Sequence, residues 1–199
     1  MAKAEPLVGL DPHAPAGQIA RHILYVRLDE MYSLAKGVDA PYEVRGLHNL
    51  RIAAKRLRYT LEIFEDVLPA ACHETANELA QLQDELGALH DSDVMIALLR
   101  LCMGSADAGM VYEQALMKSG KSGKSGKQKS KDKLLLQPAL VTAVLDPDAA
   151  PTAQQRYGLE HLLLKQSQLR EERYEAFRQH WYQLQARDFR RELLDILRE

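Results

Sequence analysis

The 199-residue sequence predicts an all-α protein, an antiparallel four-helix bundle with long helices. Three observations lead there. Apolar residues recur at helical spacing in four stretches, and no segment shows the strict alternation of a half-buried strand. The stretches are joined by a Pro turn, one further short connection and one long excursion, which suits antiparallel neighbours. A chain of this length buries roughly 70% of its extended surface on folding, so the core needs neither disulfide nor metal.

Residues 1–12, with Pro6, Gly9, Asp11 and Pro12, read as a lead-in. A first helix is expected from about 15 to 36, ending near Gly37, with Ile19, Ile23, Tyr25, Val26, Leu28 and Met31 as its apolar surface. Asp39-Ala-Pro41 makes the turn, and Pro41 suits the first turn of the second helix, expected over 42–67 and stopped by Pro69. The third begins near Ala70 and carries Leu79, Leu82, Leu86, Leu89, Ile96 and Leu99; Gly87 interrupts it without ending it. Gly104 to Asp107 weakens it, with a resumption through Tyr112 allowed. Residues 118–133, rich in Lys, Gly and Ser, lack apolar anchors and read as a flexible insertion. Leu134 to Pro151 holds a short apolar run and the Asp146-Pro147 turn. The last helix is expected over 152–197, from Leu159 through Phe177, Trp181 and Leu184 to Leu197, with a break near Gln166 to Gln168.

The second helix holds the most informative stretch, HNLRIAAKRLRY from His48 to Tyr59. At about 100° per residue, His48, Arg51, Lys55 and Arg58 fall within roughly 80° of one another. Leu50, Leu57, Leu61 and Phe64 cluster on the opposite side, where they enter a core. Isolated basic residues on a helix are usually a solvated face. This column has no acid within its own span, and like charges at i,i+4 repel. Something negative must offset them, either an acidic neighbouring helix or a polyanionic ligand. The charge map sharpens the choice: residues 45–58 hold five basic residues and no acid, 60–113 hold eleven acids and one base, and 118–133 hold seven lysines and one acid. The net charge of -2 hides this asymmetry and argues against a general nucleic-acid binder.

Two cysteines, Cys72 and Cys102, make no disulfide framework, so a reducing, cytoplasmic setting is expected. No run approaches the roughly 18 apolar residues of a membrane span, so no membrane partner is expected. The Lys-rich stretch is no nucleotide-binding loop: the residue five before Gly123 is Lys118 where that motif needs glycine, and no strand precedes it.

The H-x-x-R-x-x-x-K-R-L-R-Y pattern from His48 resembles the signature of the CHAD family, the conserved-histidine all-helical domains. The resemblance continues into LAQLQDELGALHDSDV at 79–94, similar to that family's L-Q-x-x-L-G-x-x-x-D stretch, and Phe177-x-x-x-Trp181 fits its usual ending. It implies binding of inorganic polyphosphate in a basic channel, by a domain of two pseudo-symmetric four-helix halves. This chain is similar to the second half and shows one such set, the region at His161 reading HLLLKQSQLR. A single CHAD-like helical domain over 1–199, half the usual length, follows from the resemblance. Its channel is then an open groove or is rebuilt by a homodimer.

The expected ligand-binding residues are His48, Arg51, Lys55, Arg56 and Arg58, with Arg21, Arg27 and Arg173 offering a second wall. Arg51 and Arg58 suit bidentate grips on phosphoryl oxygens, with Lys55 as a compact charge between them. Arg56 either extends the patch or pairs with the acidic third helix. His48 donates to phosphate or, more plainly, bonds a backbone carbonyl. Tyr59, His90, Asp91 and Asp93 are supporting residues. Tyr59 packs beside the bundle, the resemblance gives His90 and Asp91 an orienting role, and Asp93, beside the leucine stripe, is expected to take a donor from the second helix's arginines. No cofactor, metal or catalytic residue is expected. A lone His90-Asp91 pair is too little for a metal-dependent phosphohydrolase. The alternatives are a structural or protein-interaction helical module, in which these charges pair internally, and a nucleic-acid binder, for which no helix-turn-helix or stacking platform is visible.

Overall fold

A computed structural model describes residues 4–103 and 151–198. The expectations for 118–133, for Leu134 onward to residue 150 and for a resumed helix through Tyr112 lie outside these residues. Among the described residues, five α-helices and two short 3-10 helices carry the fold, so the four-helix expectation is corrected to five.

Asp11 begins the first helix's entry: its Oδ1 accepts from the His13 N–H at 2.9 Å and its carbonyl from the Ala14 N–H at 3.1 Å. Pro15 then presets the backbone for α1, Ala16–Ser33. A 3-10 turn, Ala35–Gly37, follows in place of the helical end expected at 36. α2 spans Val44–Ile63, and Pro41 lies in the preceding turn and not in its first turn. A second 3-10 turn, Glu65–Val67, leads to α3, Cys72–Cys102. α4 spans Ala153–Ala186 and α5 Phe189–Ile196.

The break expected near Gln166 to Gln168 does not occur; α4 passes through it, with the Ser167 hydroxyl donating to the Leu163 carbonyl at 2.9 Å. The chain turns instead at Asp188, whose left-handed backbone (φ 59°) separates α4 from α5. Aspartate tolerates that region better than most non-glycine residues.

The chain divides into two compact units, one of Met1–Tyr42, Gly46–Gly87 and Glu175–Glu199, the other of Glu43–Arg45 and Ala88–Tyr174. In the first, α1 and α2 run antiparallel. Glu30 meets Arg56 midway, and at one end a methyl on Gly37 would stand 3.4 Å from the Gly46 Cα. Leu24, Leu28 and Met31 of α1 are buried with Leu50, Leu57 and Leu61 of α2, Leu79, Leu82 and Leu86 of α3, and Phe177 and Trp181 of α4. Of the apolar surface expected for α1, Leu28 and Met31 are buried, with Leu24 beside them, whereas Ile19, Ile23, Tyr25 and Val26 are only half-buried. Phe189 and Leu193 place α5 in the same core. In the second unit, Leu89, Ala97, Leu99 and Leu101 of α3 are buried together with Tyr174.

Candidate functional site: the basic face of α2

α2 separates its residues as the helical wheel requires. Leu47, Leu50, Ala53, Ala54, Leu57 and Leu61 are buried, while His48, Arg51, Lys55 and Arg58 are half-buried on the other side.

Arg51 has no hydrogen-bond acceptor for its Nε–H, which is covered from solvent, and no described carboxylate makes an ion pair with it. It lies against α3 at Gly87: a methyl there would stand 3.6 Å from Arg51 Nε and 3.8 Å from Nη2. Glycine thus leaves the guanidinium room beside the α3 backbone. Lys55 also lacks a carboxylate partner among the described residues, and its Nζ sits 5.2 Å from the centre of the Tyr59 ring. The Arg58 guanidinium is 4.8 Å from the same ring. Its Nε stands 3.3 Å from Glu62 Oε1 without the alignment of a hydrogen bond, so Glu62, half exposed, neutralises it only in part.

Three carboxylates of the acidic third helix are engaged elsewhere. Within the first unit, Glu78 accepts from Arg187 and Glu85 accepts from His180 Nδ1 at 2.9 Å. In the second, Asp93 Oδ1 accepts from Arg170 Nε at 2.8 Å, both side chains being buried. The donor expected from α2's arginines therefore comes from α4. Burial pushes the Asp93 carboxyl above the usual carboxylate range, and the Arg170 hydrogen bond pulls against that rise.

Arg56 donates to Glu30 of α1, not to α3. Arg27 is buried, donating to Glu30 Oε2 at 2.7 Å and to the Glu5 carbonyl at 3.0 Å. Arg21 is half-buried near Cys72, and its Nε–H is covered without an acceptor. Tyr59 is exposed at the helix surface. In the second unit, Arg173 donates to the Ala88 carbonyl at 2.9 Å and to the Ser92 hydroxyl at 2.6 Å, His90 is half-buried, and Asp91 is exposed. The structure thus gathers His48, Arg51, Lys55, Arg58 and Tyr59 on one helix face. It engages Arg27, Arg56 and Arg173 in internal contacts.

Sequence reasoning missed Glu30. The signal was present as an acid three residues after Arg27, but its second partner depends on how α1 and α2 are aligned. It also missed Gln83, one turn before Gly87 on α3, whose side-chain carbonyl is covered and accepts no hydrogen bond.

Among the described residues no group of three or more His, Cys, Asp and Glu is arranged to hold a metal ion, and no helix is long and apolar enough to cross a membrane. No curated protein and no solved structure matches the chain. The CHAD domain model matches residues 1–100, just over half of the 199. The segment it matches holds α1, α2 and most of α3, with the whole basic face described above, and the chain belongs to the family of CHAD domains, which are non-enzymatic helical modules.

Proposed function

We propose that the basic face of α2 binds inorganic polyphosphate or a similar linear polyanion. One observation carries the reading: the neighbouring acidic helix gives Glu78 and Glu85 to Arg187 and His180, while Arg51 and Lys55 receive no carboxylate among the described residues. The repulsion within the column is then left for a ligand to offset. Arg51, Lys55 and Arg58 recur every three or four residues along one face, and a polyphosphate repeats its charge along a line. Arg51 and Arg58 grip two phosphoryl oxygens each, Lys55 supplies a point charge between them, and His48 donates one ring hydrogen. Arg56 and Arg27, tied to Glu30, hold α1 to α2 and act on the ligand only through potential.

The test is titration with size-fractionated polyphosphate over a range of salt. Affinity should fall steeply as salt rises, by counterion release, and should grow with chain length. The R51A/K55A/R58A protein should keep its helicity and lose most of the binding; unchanged affinity removes these residues from the site. Duplex DNA competing as well as polyphosphate at matched ionic strength would favour a nucleic-acid binder instead.

A second copy of the chain completing the channel is part of the same reading, motivated by the single H-x-x-R-x-x-x-K-R set in the sequence. Light scattering should find a dimer with or without polyphosphate, and a monomer in both conditions contradicts it. A cytoplasmic setting is supported by Cys72 and Cys102, both unbridged.

A further inference from the structure

Tyr59 is large, aromatic and 40% exposed, and the core does not require it. Its ring is nonetheless occupied. Lys55, four residues earlier, brings its ammonium to 5.2 Å from the ring centre, and Arg58, the residue before, brings its guanidinium to 4.8 Å. Both distances are those at which the negative face of an aromatic ring attracts a cation. Two like charges three residues apart on a helix repel each other. Here they converge on one ring, and Glu62 Oε1 stands 3.3 Å from Arg58 Nε.

We infer that Tyr59 is a positioning residue for the anion site: its ring fixes Lys55 and Arg58, so that they are ordered before a phosphate chain arrives. The inference rests on the proposed polyanion binding and deepens it. Long basic side chains lose much rotamer freedom when they close on a ligand. A ring that has already taken that freedom lowers the cost of binding. The ring, not the hydroxyl, does this, because the contact is with the π face. A ring face already engaged by two cations is also a poor platform for stacking a base, which favours a plain phosphate chain over single-stranded nucleic acid.

The experiment compares wild type, Y59F, Y59L, K55A, K55A/R58A and K55A/R58A/Y59L, titrated with one polyphosphate length at several salt concentrations. Far-UV circular dichroism checks folding. Y59F should bind within about two-fold of wild type, and Y59L about three- to ten-fold more weakly, as expected for losing two exposed cation–π contacts. The slope of affinity against salt should stay the same in Y59L, since both charges remain, whereas K55A should lower it by about one ion contact. In the K55A/R58A background, Y59L should cost nothing further. A structural ring would still cost there, so a persisting loss overturns the inference. So does Y59L binding as tightly as wild type, or Y59F failing to rescue. Wild type that does not bind polyphosphate overturns the underlying reading as well, which separates the two failures.

Discussion

Replacing Glu30 removes a carboxylate that serves two arginines from different helices. Its side chain is 5% exposed; Oε2 accepts from Arg27 Nη1 at 2.7 Å and Oε1 accepts from Arg56. Breaking a buried ion pair by removing one partner costs about 3–5 kcal/mol, because the remaining charge is left without compensation. Two features reduce that figure here. Arg27 keeps its bond to the Glu5 carbonyl, and Arg56 is 25% exposed, so water screens it and can reclaim it. The expected loss for E30A is therefore about 2–4 kcal/mol, and for the isosteric E30Q about 1–2 kcal/mol, since the amide oxygen still accepts one hydrogen bond. A domain with about 5–15 kcal/mol of stability survives either change. Urea unfolding followed by far-UV circular dichroism measures the difference. Polyphosphate affinity of the folded E30Q protein should stay within about three-fold of wild type, because Arg51 and Lys55 do not touch Glu30. A loss below about 0.5 kcal/mol for E30A would refute the reasoning, since it would place Glu30 among ordinary surface residues.

Three further contacts carry expected outcomes of their own. Asp93→Ala removes the carboxylate that accepts from Arg170 Nε, both side chains being buried in the second unit, and should cost about 3–5 kcal/mol by the same unfolding assay. Gly87→Ala puts a methyl at ordinary contact distance from Arg51 and should be neutral or slightly stabilising, by up to about 1 kcal/mol. Gly87→Leu should displace the guanidinium and weaken polyphosphate binding with little loss of helicity. The Tyr182 hydroxyl, ahead of Arg178, holds the Asp39 carboxyl below its ordinary value of 3.8. A group depressed in this way is favoured above the ordinary value and loses that advantage as pH falls through its lowered midpoint. Carbon-13 titration should find Asp39 below 3.8 in wild type and moved up towards 3.8 in Y182F; coincident curves would contradict the contact.

Helices and faces were legible where periodicity alone decides them. The α2 wheel separates Leu50, Leu57 and Leu61 from the basic column, and these leucines are buried. Wherever the answer depends on which helix lies opposite, the sequence is silent. Asp93 takes Arg170 and Arg56 takes Glu30, choices set by the alignment of packed helices and not by spacing along one of them. α1 was legible only in part, Leu28 and Met31 being buried but Ile19, Ile23 and Val26 not, because apolar residues cover much of its circumference. The end of α4 was missed because Asp188 breaks the helix by adopting a left-handed backbone, without glycine or proline to announce it. Gly87 was legible as an interruption that does not end α3, but not as the place where the Arg51 guanidinium lies against it.

The central claim is that Arg51 keeps an N–H for an anion. Nitrogen-15 spectra can follow its Nε–H directly as polyphosphate is added to the full chain. The account predicts that this signal, assigned through R51K, shifts and saturates together with the binding isotherm, because a phosphoryl oxygen held by the Nη groups perturbs the whole delocalised guanidinium while Nε itself stays covered. A signal that stays in place while polyphosphate binds would contradict it.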